Sequence, residues 1–275
     1  MAVTAADVKK LRTATGAGMM DCKNALTEAN GDYERAVEII RERGKAIANK
    51  RSDRETSEGA TLAGVSADGK FGAVVALNCE TDFVAINEKY VAFVQTILDL
   101  AITNKPADVE ALLALNLDGR PLAEQIAEQS GVMGEKLELS FYGKIEGESV
   151  VSYIHPGNKL STLVAFNKAG FDVQVAKDVA MQAAAMAPVA LDKNSVPAEV
   201  AEKELEIAKE KFRQEGKPEA MLDKIAQGAL NKFYKENTLV EQAFIKDNKQ
   251  TVAQYLSSAQ AGLEATGFVR FTLNA

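Results

Sequence analysis

The chain has 275 residues, of which 47% are hydrophobic and 26% charged, and its formal net charge is −7. This length is enough for two or three domains. The acidic balance argues against a general nucleic-acid-binding protein, whose phosphate contacts would need a basic face, and it favours proteins or small molecules as partners.

The sequence also predicts the compartment in which the protein works. No run of about 18 apolar residues occurs, so no membrane-spanning helix is predicted, and residues 1–12 lack the apolar centre of a signal peptide. Cys22 and Cys79 match no metal or redox spacing, as expected for buried thiols in a reducing compartment. We therefore expect a cytoplasmic protein that makes no direct contact with membranes or nucleic acid.

A helical unit is predicted for residues 1–45. Thr4 is a suitable N-cap for its first helix, the stretch TATGAG interrupts that helix, and MMDCKNALTEA follows at helical spacing. Asp32 is placed to cap a third helix, which we expect to end at Gly44. Because so short a unit has a thin core, it should lean on another part of the chain. Residues 46–59 are mostly charged and are predicted to be a linker.

The pattern then changes to strands, and it occurs twice. Residues 74–78 (VVALN) are repeated at 163–167 (LVAFN), and matching helical stretches follow at almost the same offset. We therefore predict a duplicated core, with one subdomain over residues 60–138 and the other over 139–275. Strands that precede their helix favour an α+β fold with antiparallel sheets.

Residues 195–237 interrupt the second copy. They predict two helices with apolar stripes on either side of a Gly-Lys-Pro break. This pattern is typical of a helical hairpin that projects as a coiled-coil-like arm. The stretch TGFVRFTLNA closes the sequence, and we expect it to return to the core as a strand.

Motifs of enzyme chemistry are missing from the sequence. The single histidine, His155, cannot build a multi-histidine metal site, and no GxSxG elbow accompanies it to support a triad. There is no P-loop, and GAGMMD lacks the third glycine of a dinucleotide fingerprint. We predict no enzymatic activity, cofactor or metal, and an enzyme that uses His155 is the weakest alternative.

The segment NCETDFV (78–84) is the most unusual feature. The run before it, FGAVVAL, predicts a strand covered on both faces, yet an acid, an aromatic and a branched residue follow where the chain should meet water. Together with VKKLRTATGAGMMDCKNALTEANGD (8–32), this segment resembles the elongation factor Ts family, the bacterial guanine-nucleotide exchange factors for elongation factor Tu. The duplicated core, the hairpin and TGFVRF extend the resemblance over essentially the whole chain.

The resemblance implies a domain organisation and a partner. In the family the N-terminal unit is a three-helix domain of ubiquitin-associated type, the core has two related subdomains, and the hairpin is a dimerisation module, so a homodimer is a candidate assembly. The partner would be elongation factor Tu, GDP-bound or nucleotide-free. Family members often continue with a C-terminal helical module beyond the position of Ala275, so we expect the remaining contacts to carry more of the binding here.

The resemblance also assigns residues. Thr81, Asp82, Phe83 and Val84 would enter the GTPase domain of the partner and dislodge its Mg²⁺. Phe83 would serve as an apolar wedge, and Asp82 would accept hydrogen bonds. The alternative, from the residues alone, is that Phe83 covers the start of the next helix as part of the core.

Met19, Met20 and His155 are further candidate partner contacts. Two adjacent methionines cannot both face one small core, so one of them is expected to be an exposed, adaptable contact. A lone histidine is more often structural. For these residues a contact role and a packing role both stay open.

An interaction adaptor is the competing function. A ubiquitin-associated-like domain and a coiled-coil arm would also suit a protein that binds a GTPase without promoting exchange. Such an adaptor would bind the loaded and the empty GTPase alike, whereas an exchange factor must discriminate between them.

Overall fold

The computed structural model of the protein describes residues 3–273. Its N-terminal part contains α1 (Ala5–Thr15), α2 (Met19–Glu28) and α3 (Tyr33–Lys50). Thr4 caps α1 and Asp32 caps α3, because their side chains accept hydrogen bonds from the backbone N–H groups of Asp7 and Arg35. Both predicted helix starts are therefore confirmed.

The first core unit follows the helical part. It contains β1 (Glu58–Val65), β2 (Phe71–Cys79), α4 (Asp82–Ala85), α5 (Glu88–Asn104), α6 (Val109–Ala114), β3 (Asn116–Leu117), β4 (Arg120–Pro121), α7 (Leu122–Met133) and β5 (Glu138–Glu146). One sheet of this unit is antiparallel, has the order β1-β2-β5, and so has β2 at its centre. The buried side chains Tyr90, Val94 and Ile97 of α5 cover its outer face.

The second core unit completes the chain. It contains β6 (Ser149–Ile154), β7 (Leu160–Phe166), α8 (Val173–Met186), α9 (Ala198–Gln214), α10 (Glu219–Asn237), β8 (Ala243–Phe244), β9 (Asp247–Thr251), α11 (Val252–Ala259) and β10 (Ala265–Thr272). Its larger sheet is antiparallel with the order β10-β7-β6. The outer face of that sheet packs against α8 and α11 through Val179, Ala183 and Leu256.

The two units share one plan. In each sheet the central strand pairs with the strand before it and, after a helical region, with a strand further along the chain. The repeated stretches VVALN and LVAFN lie on β2 and β7, with Asn167 just beyond the end of β7. The α+β class with antiparallel sheets is confirmed, and the duplication appears in the topology.

The inner faces of the two sheets pack against each other. Ala63 and Val74 of the first sheet meet Val150, Leu163 and Ala165 of the second. The resulting order of layers is helix, sheet, sheet, helix. Because β2 lies in the middle of this arrangement, both of its faces are covered, as its apolar sequence predicts.

The assignment of β5 differs from the expectation. The sequence places residues 139–146 in the second subdomain, but β5 pairs with β2 in the first sheet. The reason is that the third strand of the repeated plan comes after its helices, so its pairing is not local. We propose that the boundary between the subdomains lies at Gly147, between β5 and β6.

The expected end of the third helix at Gly44 is wrong. α3 continues to Lys50, so the predicted linker begins as helix. Gly44 instead lies where α3 crosses α7: a Cβ at Gly131 would overlap the Cα of Gly44, and a Cβ at Gly44 would lie 3.1 Å from the backbone of Glu128. Glycine serves here to bring two helix backbones together rather than to end one of them. The N-terminal unit therefore leans on the core, as its size suggests.

The predicted helical hairpin is formed by α9 and α10. The chain segments that lead into and out of the hairpin lie side by side, because the N–H of Val189 donates to the carbonyl of Asn237 at 2.8 Å. Ile207 and Met221 are 51% and 50% exposed on its surface, and dimerisation through this surface remains a prediction. Within residues 3–273, no helix is both long and apolar enough to cross a membrane.

Candidate functional site

The TDFV segment forms one helical turn at the end of β2. Thr81 is the N-cap of this turn, α4, and its hydroxyl accepts the N–H of Val84 at 3.4 Å. Asn87 then caps α5, so the chain changes direction twice within a few residues. Ala85 is buried, and Val84 packs against the core below. The inner side of α4 is thus anchored in the first core unit.

The outer side of α4 presents an apolar pair to solvent. Phe83 is 79% exposed and Ile86 is 75% exposed. Residues three apart lie on the same side of a helical turn, and Asp82 is exposed next to them. The alternative in which Phe83 is core is therefore wrong. Ile86 was not singled out in the sequence analysis. It lies three residues after Phe83, so a helical turn that begins at the Thr81 cap places both residues on the same side.

Glu135, just beyond α7, holds the start of this turn. Its carboxylate accepts hydrogen bonds from the backbone N–H of Glu80 at 3.1 Å and of Thr81 at 3.0 Å, and from the Thr81 hydroxyl at 2.6 Å. Thr81 is therefore half-buried and shapes the turn instead of projecting from it. No sequence pattern indicated Glu135, which lies far from Thr81 along the chain.

The side chain of Glu80 connects the same two loops in the opposite direction. Its carboxylate accepts the backbone N–H of Lys136 at 2.7 Å, and the Arg51 guanidinium lies 2.8 Å and 3.0 Å from its two oxygens. These groups, the Lys136 N–H first and Arg51 second, hold the pKa of Glu80 below its ordinary value despite some desolvation. Arg51 directly follows α3, so this ion pair joins the N-terminal helices to the turn.

Cys79, the last residue of β2, holds the turn from the buried side. The residue is buried, and its thiol donates to the carbonyl of Thr81 at 3.1 Å. Burial raises the pKa of this thiol to about 11, so it stays protonated and unreactive at neutral pH. The expectation that both cysteines are small buried residues is confirmed.

The turn between β6 and β7 lies at the same end of the sheets. It carries His155, which is exposed and whose Nδ1 lies 2.9 Å from the Tyr153 hydroxyl. Lys159 in this turn forms an ion pair of 2.8 Å with Glu58, the residue opposite Cys79 in the β1–β2 pairing. The hydrogen bond to Glu58, and then the negative charges of Glu58 and Asp82, raise the pKa of Lys159. The structure thus brings the turn with His155 close to the TDFV turn.

Comparisons with known proteins assign the family. The sequence profile of the family described as Elongation factor TS matches residues 80–275. A protein of Porphyromonas gingivalis named Elongation factor Ts is 56% identical over the whole of both chains. Proteins of the same name from Amoebophilus asiaticus and Flavobacterium psychrophilum are 54% and 52% identical, over 100% and 98% of both chains respectively. The chain belongs to the elongation factor Ts family.

In this member of the family, Met19 and Met20 lie on a separate surface. Both begin α2, and they are 60% and 61% exposed, so neither is a core residue. They line a groove of about 730 Å³ between α1 and α2, whose other lining residues include Val8 and three cations, Lys9, Arg12 and Lys23. The groove is therefore apolar at its centre and basic at its rim. Such a surface suits a partner that offers an apolar side chain flanked by acids.

Proposed function

We propose that this chain promotes the exchange of GDP for GTP on elongation factor Tu. Its membership of the elongation factor Ts family supports this function. The observation that carries the proposal is the TDFV turn, which exposes Phe83 and Asp82 while hydrogen bonds with the loop after α7 and with Arg51 hold its base. Aromatic side chains, Phe included, are enriched in protein interfaces, and a few well-packed anchors carry most of the binding energy there.

Each exposed group of the turn has a part in the proposed mechanism. Phe83 enters an apolar pocket of the GTPase and shifts the elements that line it, with Ile86 widening the contact. Asp82 accepts hydrogen bonds from backbone N–H groups or basic side chains near the nucleotide. The Mg²⁺ of the partner neutralises charge between the phosphates and the GTPase, so dislodging it loosens the nucleotide.

The thermodynamics requires no covalent chemistry from this chain. A factor that binds the nucleotide-free GTPase more tightly than the loaded one must weaken nucleotide binding by the same factor. GTP then fills the empty site by mass action, and the factor leaves. We infer that the chain meets both the GDP-bound and the nucleotide-free partner in the cytoplasm, where translation takes place, and that it is not an enzyme.

Release of a fluorescent GDP tests the function. Elongation factor Tu is loaded with the labelled nucleotide and chased with excess GTP, with and without this protein. We expect substoichiometric amounts to accelerate release, because a factor that leaves after each exchange turns over. Binding to elongation factor Tu with no change in the release rate would contradict the proposal and support the adaptor.

A second prediction concerns the groove on α1 and α2. Replacing both Met19 and Met20 by Ala should leave the circular dichroism and the unfolding midpoint unchanged, because both side chains are exposed. If the groove binds the GTPase, affinity for the nucleotide-free partner should fall by about tenfold, within the range for interface anchors. Met221→Ala on α10, where the side chain is 50% exposed, is the matched control. Unchanged affinity in the double variant would remove the groove from the interface.

A further inference from the structure

We propose that Glu135 is a positioning residue for nucleotide exchange, because it holds the TDFV turn in the orientation that presents Phe83 and Asp82. This inference rests on the proposed function. Glu135 does not need to touch the partner, since it acts through Thr81 and through the backbone at the base of α4.

The turn depends on outside support. α4 has four residues, and a helix of one turn is unstable by itself because nucleation fixes several residues for few hydrogen bonds. Within α4 the cap bond from the Val84 N–H to Thr81 is long, at 3.4 Å. The contacts to Glu135 are shorter, at 2.6 to 3.1 Å, and they involve a charged acceptor. Glu135 is thus the strongest connection at the start of the turn.

The connection is reciprocal. The backbone N–H of Glu80 donates to Glu135, while the backbone N–H of Lys136 donates to Glu80. The loop after β2 and the loop after α7 therefore fix each other. Arg51 adds an ion pair of 2.8 Å to Glu80, which ties the end of α3 to the same two loops.

The same connection determines where the turn sits relative to the N-terminal helices. Arg51 follows α3, and α3 is packed on α7 at Gly44 and Gly131, while Glu135 follows α7. These contacts therefore fix the position of the turn with Phe83 relative to the helices that form the groove with Met19 and Met20. A wedge that is already oriented loses less entropy when it enters its pocket, so more of its binding energy acts on the nucleotide.

A split between kcat and KM tests the inference. Glu135→Ala should lower kcat for GDP release by about 10- to 100-fold, the factor expected for lost hydrogen bonds to a charged group. KM should change little, because the groove, the β6–β7 turn and the exposed side chains remain. Glu146→Ala is the matched control, since it removes an exposed carboxylate at the opposite end of β5 and should leave both parameters unchanged.

A double-mutant cycle identifies the route of the effect. If Glu135 acts through Thr81, then Thr81→Ala should have a much smaller effect in the Glu135→Ala background than in the wild type. Additive effects on kcat would overturn the inference, and so would a wild-type kcat in Glu135→Ala. Should Glu135→Ala unfold, Glu135→Leu keeps a branched side chain at this position but has no oxygen to accept from the Glu80 and Thr81 donors, so the same loss of kcat is expected.

Amide hydrogen exchange separates this inference from the proposed function. The N–H groups of Glu80 and Thr81 should exchange faster in Glu135→Ala than in the wild type, with no partner present. If the wild type fails to accelerate GDP release, the proposed function fails whatever these amides do. If the wild type is active and these amides exchange alike in both proteins, the role of Glu135 is refuted and the function stands.

Discussion

Phe83→Ala is expected to reduce the acceleration of GDP release by at least about 30-fold, the loss typical of a central interface anchor. The physical reason is that the ring is the largest apolar group on the TDFV turn and is 79% exposed, so its apolar surface is available for a partner. The same exposure means that the fold does not depend on it. Circular dichroism and the unfolding midpoint should therefore stay at their wild-type values, as they do for most surface substitutions.

Two variants control for this prediction. Ile207→Ala removes a 51% exposed apolar side chain from α9, away from the turn, and should leave exchange unchanged. Phe83→Leu keeps an apolar side chain of reduced size and should retain part of the activity. Wild-type exchange by Phe83→Ala would show that the aromatic ring is not the wedge, and the role of the turn would then have to rest on Asp82 and Ile86.

Gly131→Ala is expected to have the largest effect on stability. The added methyl group would overlap the Cα of Gly44, so α3 and α7 would have to move apart. Overpacking usually costs about 1–3 kcal/mol of the free energy of unfolding, and here the obstacle is backbone, which yields less than a side chain. Denaturant unfolding measures the loss, and amide hydrogen exchange should show weaker protection of α3.

The same substitution at Gly228 provides the control. Gly228 lies inside α10, and a Cβ there would meet nothing within 4 Å. Alanine is the better helix former by about 1 kcal/mol, so Gly228→Ala should stabilise the protein. Opposite signs for two glycine-to-alanine changes within helices would attribute the loss at Gly131 to the contact with Gly44. A stable Gly131→Ala variant would contradict the close packing of the two helices.

Local patterns predicted much of the fold. The caps at Thr4 and Asp32, the buried strand β2 and the helical hairpin follow from cap residues, apolar runs and helical spacing, which act over a few residues. Gly44 shows where this reasoning stops. A glycine after a helical stretch can end the helix or admit a neighbouring one, and the choice depends on Gly131, which is distant along the chain.

Contacts between residues distant along the chain explain the other differences between the predicted and the observed structure. β5 belongs to the first sheet because its hydrogen bonds go to β2, across four intervening helices and a β3–β4 hairpin. At the site, the motif identified Phe83 and Asp82, but Glu135 and Arg51 carry no local signal of their part in it. Their carboxylate and guanidinium meet the turn after the chain has folded. Sequence patterns therefore identified the exposed groups of the turn better than the groups that support it.

The hydrogen bond between Val189 and Asn237 joins the two chain segments that flank the helical hairpin, and this limits which parts of the fold the hairpin affects. Because Val189 and Asn237 are already held together at the edge of the second unit, the chain between them leaves and re-enters the fold at one place. Lengthening a closed loop costs little, about 0.6 kcal/mol for each doubling. The arm can therefore grow, shrink or acquire a new surface in related proteins while the sheets and the exchange turn keep their sequence. The length and surface of the arm can therefore evolve independently of the turn that we propose to act in exchange.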